Sequence, residues 1–502
     1  MAKEKKLDAN GYRKFGMLDK LAYAAGDFGC NMSFALKGTI NTFWLVFMNM
    51  NSTLFATLLL IVQIWDAIND PLIGSLIDAD KRNYKLGKFK TYIFIGSIGL
   101  LVAGSLCFIP LPNASTTIKC IIFLLGYVIW DAFYTVANVP YGAMLSLITT
   151  DGGERAELST WRSIGSMIGN IVPMIILPML IWKDKVDEAG NVIMNAETGE
   201  PEQELMGKTV FFVALLMGVL GFIAFQFMIR KSEIRVNENA IKVNEQQQKF
   251  NVFKAFGNFL KNRAAVGATL AAMGMFLGMN SATTATQIMF AIYFGKAELS
   301  GLVTAIGFVP MMLFIPFIKK IVNKMGKKEA SVAGTIVSLV GAGLMFLFPA
   351  VPKSAALIVY ILAFVVFGLG MGVYTCVSWS LMADAIDYNE WKTGSREEGT
   401  VYSLHSFFRK LAQGVGPSLV IVIMGLLGYN SEIDINAQTA QTAENMCWLV
   451  AGLYLFSAVM QFVGIALVYN LDKKTLAQMN EELDARHARD EEMSDARKAL
   501  YN

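Results

Sequence analysis

Thr209-Val-Phe-Phe-Val-Ala-Leu-Leu-Met-Gly-Val-Leu-Gly-Phe-Ile-Ala-Phe-Gln-Phe-Met-Ile229 contains 21 residues and no charge, and it is bounded by Lys208 and Arg230. About 20 helical residues cross a hydrocarbon core of ~30 Å, so this segment reads as a membrane-spanning helix. Comparable uncharged or nearly uncharged runs recur at Phe43–Ile64, Thr91–Ile118, Ile164–Trp182, Ala297–Ile318 and Trp448–Leu471. The chain of 502 residues is 54% hydrophobic and only 17% charged, with a mean hydropathy of +0.46. That composition describes a polytopic all-α membrane protein rather than a series of soluble domains. A formal net charge of +3 over this length is no basic surface, which argues against nucleic acid as a partner.

The five cysteines, Cys30, Cys107, Cys120, Cys376 and Cys447, are widely spaced within or beside apolar stretches, with no CxxC pair. They read as small packing residues rather than a disulfide framework or a metal set. Residues 1–20 carry Lys3, Lys5, Lys6, Arg13, Lys14 and Lys20 but no short apolar core before a cleavage site. No removable signal peptide is expected, and the first spanning helix serves as the targeting signal.

Marking apolar runs between charge clusters predicts twelve helices, near 21–48, 53–78, 90–111, 118–147, 157–182, 207–230, 263–294, 298–322, 330–350, 354–383, 398–428 and 445–470. The basic clusters Lys81, Arg82, Lys85, Lys88, Lys90 and Lys319, Lys320, Lys324, Lys327, Lys328 fall in alternate short loops, on the same side as the basic N-terminus. The excess of Lys and Arg in those loops predicts that both termini are cytoplasmic. A polar stretch from Lys231 to Phe250 separates six helices from six. The expected division is therefore an N-terminal bundle over 1–230, a cytoplasmic linker over 231–260, a C-terminal bundle over 261–471 and a tail helix over 472–502. Gly87, Lys88 and Lys90 after the second helix are echoed by Gly326, Lys327 and Lys328 after the eighth, a faint internal repeat. Lys183–Gly207 is acidic and turn-rich, and reads as a small hairpin or lid.

Ionisable groups in spanning segments are costly unless they face water or a partner, so they mark function. In the second helix Gln63, Asp66 and Asp70 lie at i, i+3 and i+7 on one stripe, before Pro71 and Gly74. Two carboxylates one turn apart suit a small cation, Na⁺ or a proton, although a structural charge pair would use the same residues. The first helix holds Asp27 and Asn31 on one face, with Lys37 and Asn41 further along. The fourth carries Asp131, Thr135 and Asn138, and the fifth opens with Arg162 and the Gly165/Gly169 pair. Polar stripes on neighbouring helices imply a wet cavity able to bind hydroxyl groups, with Trp44, Trp130, Tyr134, Tyr374 and Trp379 as candidate aromatic platforms or packing residues. The second half adds Asn280, Gln287, Asp384, Asp387, Glu390, His405, Arg409 and Lys410. Arg409 or Lys410 is a candidate counter-charge for Asp66 and Asp70, whereas Lys37 reads as a substrate counter-charge or as the partner of Asp131 or Asp27.

No nucleotide-binding loop, GxSxG elbow or paired-His motif is present, and Gly368, Gly370 and Gly372 lie in an apolar helix, where they signify close packing. An enzyme is therefore not expected, and no cofactor is implied beyond a coupling ion. The driving energy would come from an ion gradient.

The segments Tyr23-Ala-Ala-Gly26-Asp27-Phe-Gly29-Cys-Asn31, Trp65-Asp66-Ala67-Ile-Asn-Asp70-Pro71-Leu-Ile-Gly74, Gly87-Lys88-Phe89-Lys90 and Ala383-Asp384-Ala-Ile-Asp387-Tyr388 resemble signature segments of the glycoside-pentoside-hexuronide:cation symporters. That group belongs to the major facilitator superfamily and includes the melibiose carriers, and the resemblance extends over all twelve helices in order. It implies a major facilitator fold of two six-helix bundles, alternating access, and sugar and cation bound near mid-membrane. It also implies that Asp66 and Asp70 bind the cation, and that Arg162 and Lys410 lie in the sugar and cation region. Melibiose carriers have sugar-binding carboxylates where this chain has Asn31 and Asn138, and an arginine where it has Gln63, so galactoside specificity is not expected.

The expectation is a symporter of the cell (inner) membrane that imports a pentoside, glucoside or hexuronide with Na⁺ or H⁺, acting as a monomer in the lipid bilayer. Asp27, Asn31, Lys37, Asp131, Thr135, Asn138, Arg162, Asn280, Trp379 and Lys410 are the candidate substrate residues. A lysolipid carrier of the same superfamily is the nearest alternative, and it would need an apolar cleft where Asp27, Asn31, Asp131, Asn138 and Arg162 stand. A non-transporting sugar sensor would need an output domain, which the tail after Leu471 does not offer.

Overall fold

The computed structural model describes residues 12–80, 82–149, 152–196, 199–235, 252–313, 317–394 and 398–501, and at some of these positions, Asp70 among them, the backbone alone. Twelve helical traverses follow one another in the described residues. The first comprises Met17–Phe34, Leu36–Thr42 and a π-helical turn Phe43–Phe47; the second is Ser52–Ala79, the third Lys88–Leu106, the fourth Thr116–Ile148, the fifth Gly152–Ile181 and the sixth Gly207–Lys231. The seventh joins Arg263–Gly274, a π-turn Met275–Asn280 and Ala282–Ile292, and the eighth joins Ser300–Met312 and Ile318–Met325. The ninth is Lys327–Met345, the tenth Lys353–Thr393, the eleventh Glu398–Leu426, and the twelfth Ala440–Phe462 with a π-turn Val463–Val468.

Nine of these, among the described residues, are long and apolar enough to cross a membrane by composition alone. The first, second and eighth are the remainder. The first carries Asp19, Lys20, Asp27 and Lys37, the second Asp66 and Asp70, and the eighth is interrupted after Met312. The tenth runs to Thr393, ten residues beyond the predicted end, and stops at Gly394 in a left-handed conformation (φ 73°). An apolar-run criterion ends at the first charge, whereas the backbone hydrogen-bond ladder carries on through Asp384, Asp387 and Glu390. A left-handed glycine then closes it.

The described residues fall into two compact units. One comprises those of Met1–Gln247, Thr283–Ala305 and Ser418–Met446, the other those of Gln248–Ala282, Ile306–Pro417 and Cys447–Asn502. The boundary cuts through the seventh, eighth, eleventh and twelfth helices. Residues 236–251, most of the polar connector read from sequence, lie outside the described residues, and a helix Val252–Lys261 precedes the seventh traverse.

Within the first unit, Gly165 and Gly169 lie against the first helix. A Cβ at Gly169 would stand 2.9 Å from the Cβ of Asn31 and 3.0 Å from the carbonyl of Phe28, so small residues are what let these backbones approach. In the second unit the Gly370 backbone meets Gly334 and Ser338, which is the close packing expected of the Gly368–Gly372 run. The faint repeat has a structural counterpart: Gly87 and Gly326 head the third and ninth helices with matching backbone angles (φ 84°, ψ 157° and φ 103°, ψ 158°). Side chains with a Cβ rarely adopt such values, which accounts for glycine at both positions.

Ahead of Gly87, Asp80 accepts hydrogen bonds from Arg82 (3.0 Å), Tyr84 (2.6 Å) and Tyr92 (2.7 Å). These donors hold its carboxyl well below the usual range. A depressed folded-state pKa contributes stability above the unfolded value of about 3.9, lost as the pH falls through the folded one. Asp80→Asn is therefore expected to lower the melting temperature at neutral pH by an amount that shrinks below pH ~4. A constant difference at all pH values would show that the carboxylate charge is irrelevant.

The turn-rich segment forms the expected hairpin, with Trp182–Asp184 antiparallel to Gln203–Leu205. Gln203, 1% exposed, donates to Asp184 (2.6 Å) and to the carbonyl of Gly295 (3.0 Å), and accepts from the amide of Ala297 (3.2 Å). Its backbone pairs with the Asn436 side chain at 2.8 and 2.9 Å. The hairpin thus fastens two distant loops of the same unit. Gln203→Ala leaves the buried Ala297 amide without its acceptor, at a cost of about 1–3 kcal/mol. The expected drop in melting temperature is about 2–12 °C, and a drop under one degree would deny Gln203 this fastening role.

The tail helix Lys473–Tyr501 is present as expected. It is docked rather than free: Met479 is fully buried and Leu483 nearly so, the Trp391 indole donates to Glu482 (2.7 Å), and Lys473 reaches the carbonyls of Asn323 and Lys324.

Candidate functional site

Three polar joints lie among the spanning helices of the first unit. In the first, Arg162 Nε meets Asp27 Oδ1 at 3.0 Å, with Asp27 9% and Arg162 39% exposed. Asn31, one turn along, donates to the Asp27 carboxylate (3.1 Å) and carbonyl (2.7 Å), and Asn170 donates to Asn31 (2.6 Å). The Arg162 guanidinium also stands 5.1 Å from the centre of the Tyr141 ring, and Tyr141 donates to the carbonyl of Tyr23 (2.9 Å). Cys30 Sγ lies 3.6 Å from Asn138 Oδ1.

In the second joint, Lys37 Nζ is 3.4 Å from Asp66 Oδ2, both side chains being partly exposed at 24% and 30%. The same ammonium lies 5.0, 5.9 and 5.5 Å from the ring centres of Phe34, Tyr127 and Trp130. Gln63, one turn before Asp66, donates to the Tyr127 hydroxyl (3.1 Å). In the third joint, Asn69 donates to the Asp131 carboxylate (3.1 Å) and to Thr135 (2.9 Å). Asn69, Asp131 and Thr135 are covered almost completely, so this joint is packing between the second and fourth helices.

These positions revise the sequence reading. Among the described residues the ion-pair partner of Lys37 is Asp66, whereas Asp27 pairs with Arg162 and Asp131 accepts from Asn69. Asp66 thus has a cation from its own unit. Asp131 and Thr135 have no open face for a substrate. Asp70 follows Asp66 by one turn of the backbone, and its side chain lies outside the described residues. Trp44 is fully buried, donating to the Cys107 carbonyl (3.0 Å), and Tyr374 is 2% exposed, so both are core residues.

The second unit holds Asn280, exposed at the end of its π-turn. Trp379, 54% exposed, lies edge-on to His405 at 6.1 Å and 5.7 Å from Arg409, which also stands over Phe276. His405 is held by Thr269 (2.8 Å), and Lys410 is exposed. Lys327 grips both carboxylate oxygens of Asp384 at 2.7 and 2.8 Å, fixing the ninth helix to the tenth. Sequence reasoning had both residues, one in a basic loop and one in a motif, and had no way to join them. It gave no role to Asn69, although the quoted Trp65–Gly74 segment contains it, or to Asn170. Each is an amide inside an apolar run, Asn69 three residues after Asp66 and Asn170 next to Gly169, and that placement was the available signal.

Twelve traverses with ion pairs and amide networks in the spanning segments are the architecture of a membrane transporter. Residues 22–473 match the MFS/sugar transport protein family, to which the chain belongs. It is a multi-pass membrane protein. It is 30% identical over 478 residues, covering 94% of this chain and 96% of the relative, to a protein of Bacillus subtilis (strain 168) described as an uncharacterized symporter, YjmB. It is 26% identical over 494 residues to the isoprimeverose transporter of Lactiplantibacillus pentosus, covering 96% of this chain and 94% of that one. Among solved structures, the nucleoside transporter NupG superposes with a TM-score of 0.60 at 13% identity, covering 91% of this chain and 100% of that one, a likeness of fold alone.

Proposed function

We propose that the chain is a cation-coupled sugar symporter that imports a glycoside, a pentoside, glucoside or hexuronide, by alternating access between two bundles. The observation that carries this reading is the Arg162–Asp27–Asn31–Asn170 chain. It joins a guanidinium, a carboxylate and two amides on two helices packed through Gly165 and Gly169. Such a set offers donors and acceptors to sugar hydroxyls, and Arg162 would suit a uronate. The partly exposed Asp66, with Asp70 one turn on, is the proposed cation site for Na⁺ or H⁺. Asn138 lies beside this chain through Cys30. In the second unit the exposed Trp379, Asn280 and Lys410 are the proposed further substrate contacts.

The excess of Lys and Arg in alternate loops supports cytoplasmic termini in the cell (inner) membrane. The name of the isoprimeverose transporter supports a sugar cargo. The proposed working unit is a monomer in the bilayer.

The test is a thermal-shift screen of purified protein against neutral glycosides, pentosides and uronides, with Na⁺ or K⁺ at two pH values, since a ligand of the native state raises apparent stability. Stabilisation by one sugar class that grows with Na⁺, or with falling pH, is the expected result. Stabilisation by lysolipid and by none of the sugars would replace this reading with a lipid carrier.

A further inference from the structure

We propose that Lys37 is a tethered counter-ion of the cation site: its ammonium occupies the Asp66 end of that site, so that a free alkali cation and Lys37 compete for one carboxylate. The inference rests on the proposed reading of Asp66 as a cation ligand and adds the residue that sets the affinity and selectivity of that site.

The geometry has two parts. The ammonium is 3.4 Å from Asp66 Oδ2, close enough for a second cation at that oxygen to be repelled. It is also surrounded by the faces of Phe34, Tyr127 and Trp130 at 5.0, 5.9 and 5.5 Å. Aromatic faces attract ammonium through their quadrupole. The ring faces supply no oxygen ligands, and the Tyr127 hydroxyl is engaged by Gln63; Na⁺ requires oxygen, being a hard cation like those bound by carboxylates and carbonyls. On the side where Lys37 stands, the surroundings of Asp66 therefore favour an ammonium on a stem over a bare alkali ion, while Asp70, one turn on, is the proposed second carboxylate for that ion. Gln63 holds Tyr127 in place through its hydroxyl, so the cage is built rather than incidental.

The side chain itself gives the lysine room to leave. Lys37 lies in Leu36–Thr42, which continues Met17–Phe34 through Ala35 in a helical conformation (φ −60°, ψ −23°) and runs into the π-turn at Phe43. A four-carbon stem lets the ammonium move off Asp66 while it stays over the rings. A cation that binds must displace Lys37. The same competition lowers the apparent affinity for Na⁺ and leaves Asp66 neutralised when no cation is bound.

The experiment compares purified wild type, Lys37→Met, Lys37→Gln, Lys37→Arg and Lys37→Met/Asp66→Asn by thermal stabilisation in a Na⁺ titration at constant ionic strength with K⁺, without sugar. The expected result is a half-saturating Na⁺ concentration at least tenfold lower in Lys37→Met and in Lys37→Gln, unchanged in Lys37→Arg, and no Na⁺ response in the double variant. Lys37→Gln keeps a polar end, so one of the two neutral variants suffices if the other does not fold. Equal or weaker Na⁺ response in the neutral variants, or a tenfold gain that survives Asp66→Asn, would overturn the proposal. Sugar counterflow in proteoliposomes, measured on the same proteins, tests the symporter reading separately, because counterflow needs no cation gradient.

Discussion

Asp27→Ala is expected to lower the melting temperature of the purified protein by about 5 °C or more. Asp27 is 9% exposed and is the acceptor of both Arg162 and Asn31. Removing it strands a guanidinium within a spanning segment and leaves the Asn31 amide only its bond to the residue-27 carbonyl. Breaking a fully buried pair costs about 3–5 kcal/mol. Arg162 is 39% exposed, so solvent screening reduces that figure to about 2–3 kcal/mol. In a unit of this size each kcal/mol corresponds to roughly 2–4 °C. Arg162→Ala should cost a similar amount, and the double variant clearly less than the sum of the two, because the second substitution removes a charge already left alone. Additive losses would mean that the two side chains act independently. Sugar-induced stabilisation should also fall in both single variants, since the proposed substrate chain runs through this pair.

Asp66→Asn is expected to abolish cation-driven accumulation of sugar while sugar counterflow continues. A carboxylate and a cation about 4 Å apart attract by about 4 kcal/mol at an effective dielectric of ~20, so losing the charge weakens cation binding by about 100-fold or more. Counterflow requires sugar binding and the conformational cycle but no gradient. Proteoliposomes with an imposed Na⁺ or proton gradient separate the two. Undiminished accumulation would remove Asp66 from the cation site, whereas loss of counterflow as well would make Asp66 a residue of the conformational cycle. Stability is expected to fall too, because Lys37 loses its carboxylate partner and keeps only the faces of Phe34, Tyr127 and Trp130.

The amino-acid sequence by itself determined the membrane, the twelve traverses and the residues worth attention. Twenty-residue apolar runs such as Thr209–Ile229 can satisfy their backbone in lipid only as helix, so hydropathy dictates the element and its length. Charges such as Asp27, Asp66 and Arg162 stand out because each is costly where it lies. Gly87 and Gly326 were legible as a repeat because only glycine tolerates the backbone angles that both adopt.

Pairing was left to the tertiary structure. A helix presents any one residue to two or three neighbours, and sequence spacing fixes the stripe but not which helix faces it. Asp131 and Thr135 share the stripe of Asn138, yet Asn69 seals them into a buried joint. Lys37 reads from sequence as a substrate counter-charge or as the partner of Asp131 or Asp27, and it meets Asp66 instead. The tenth helix outran its apolar run because hydrogen bonding along the backbone, rather than hydropathy, decides where a helix ends. Solvation cost declares from sequence that a charge needs a partner; only the packing of helices, set by small residues such as Gly165 and Gly169, decides which partner it meets.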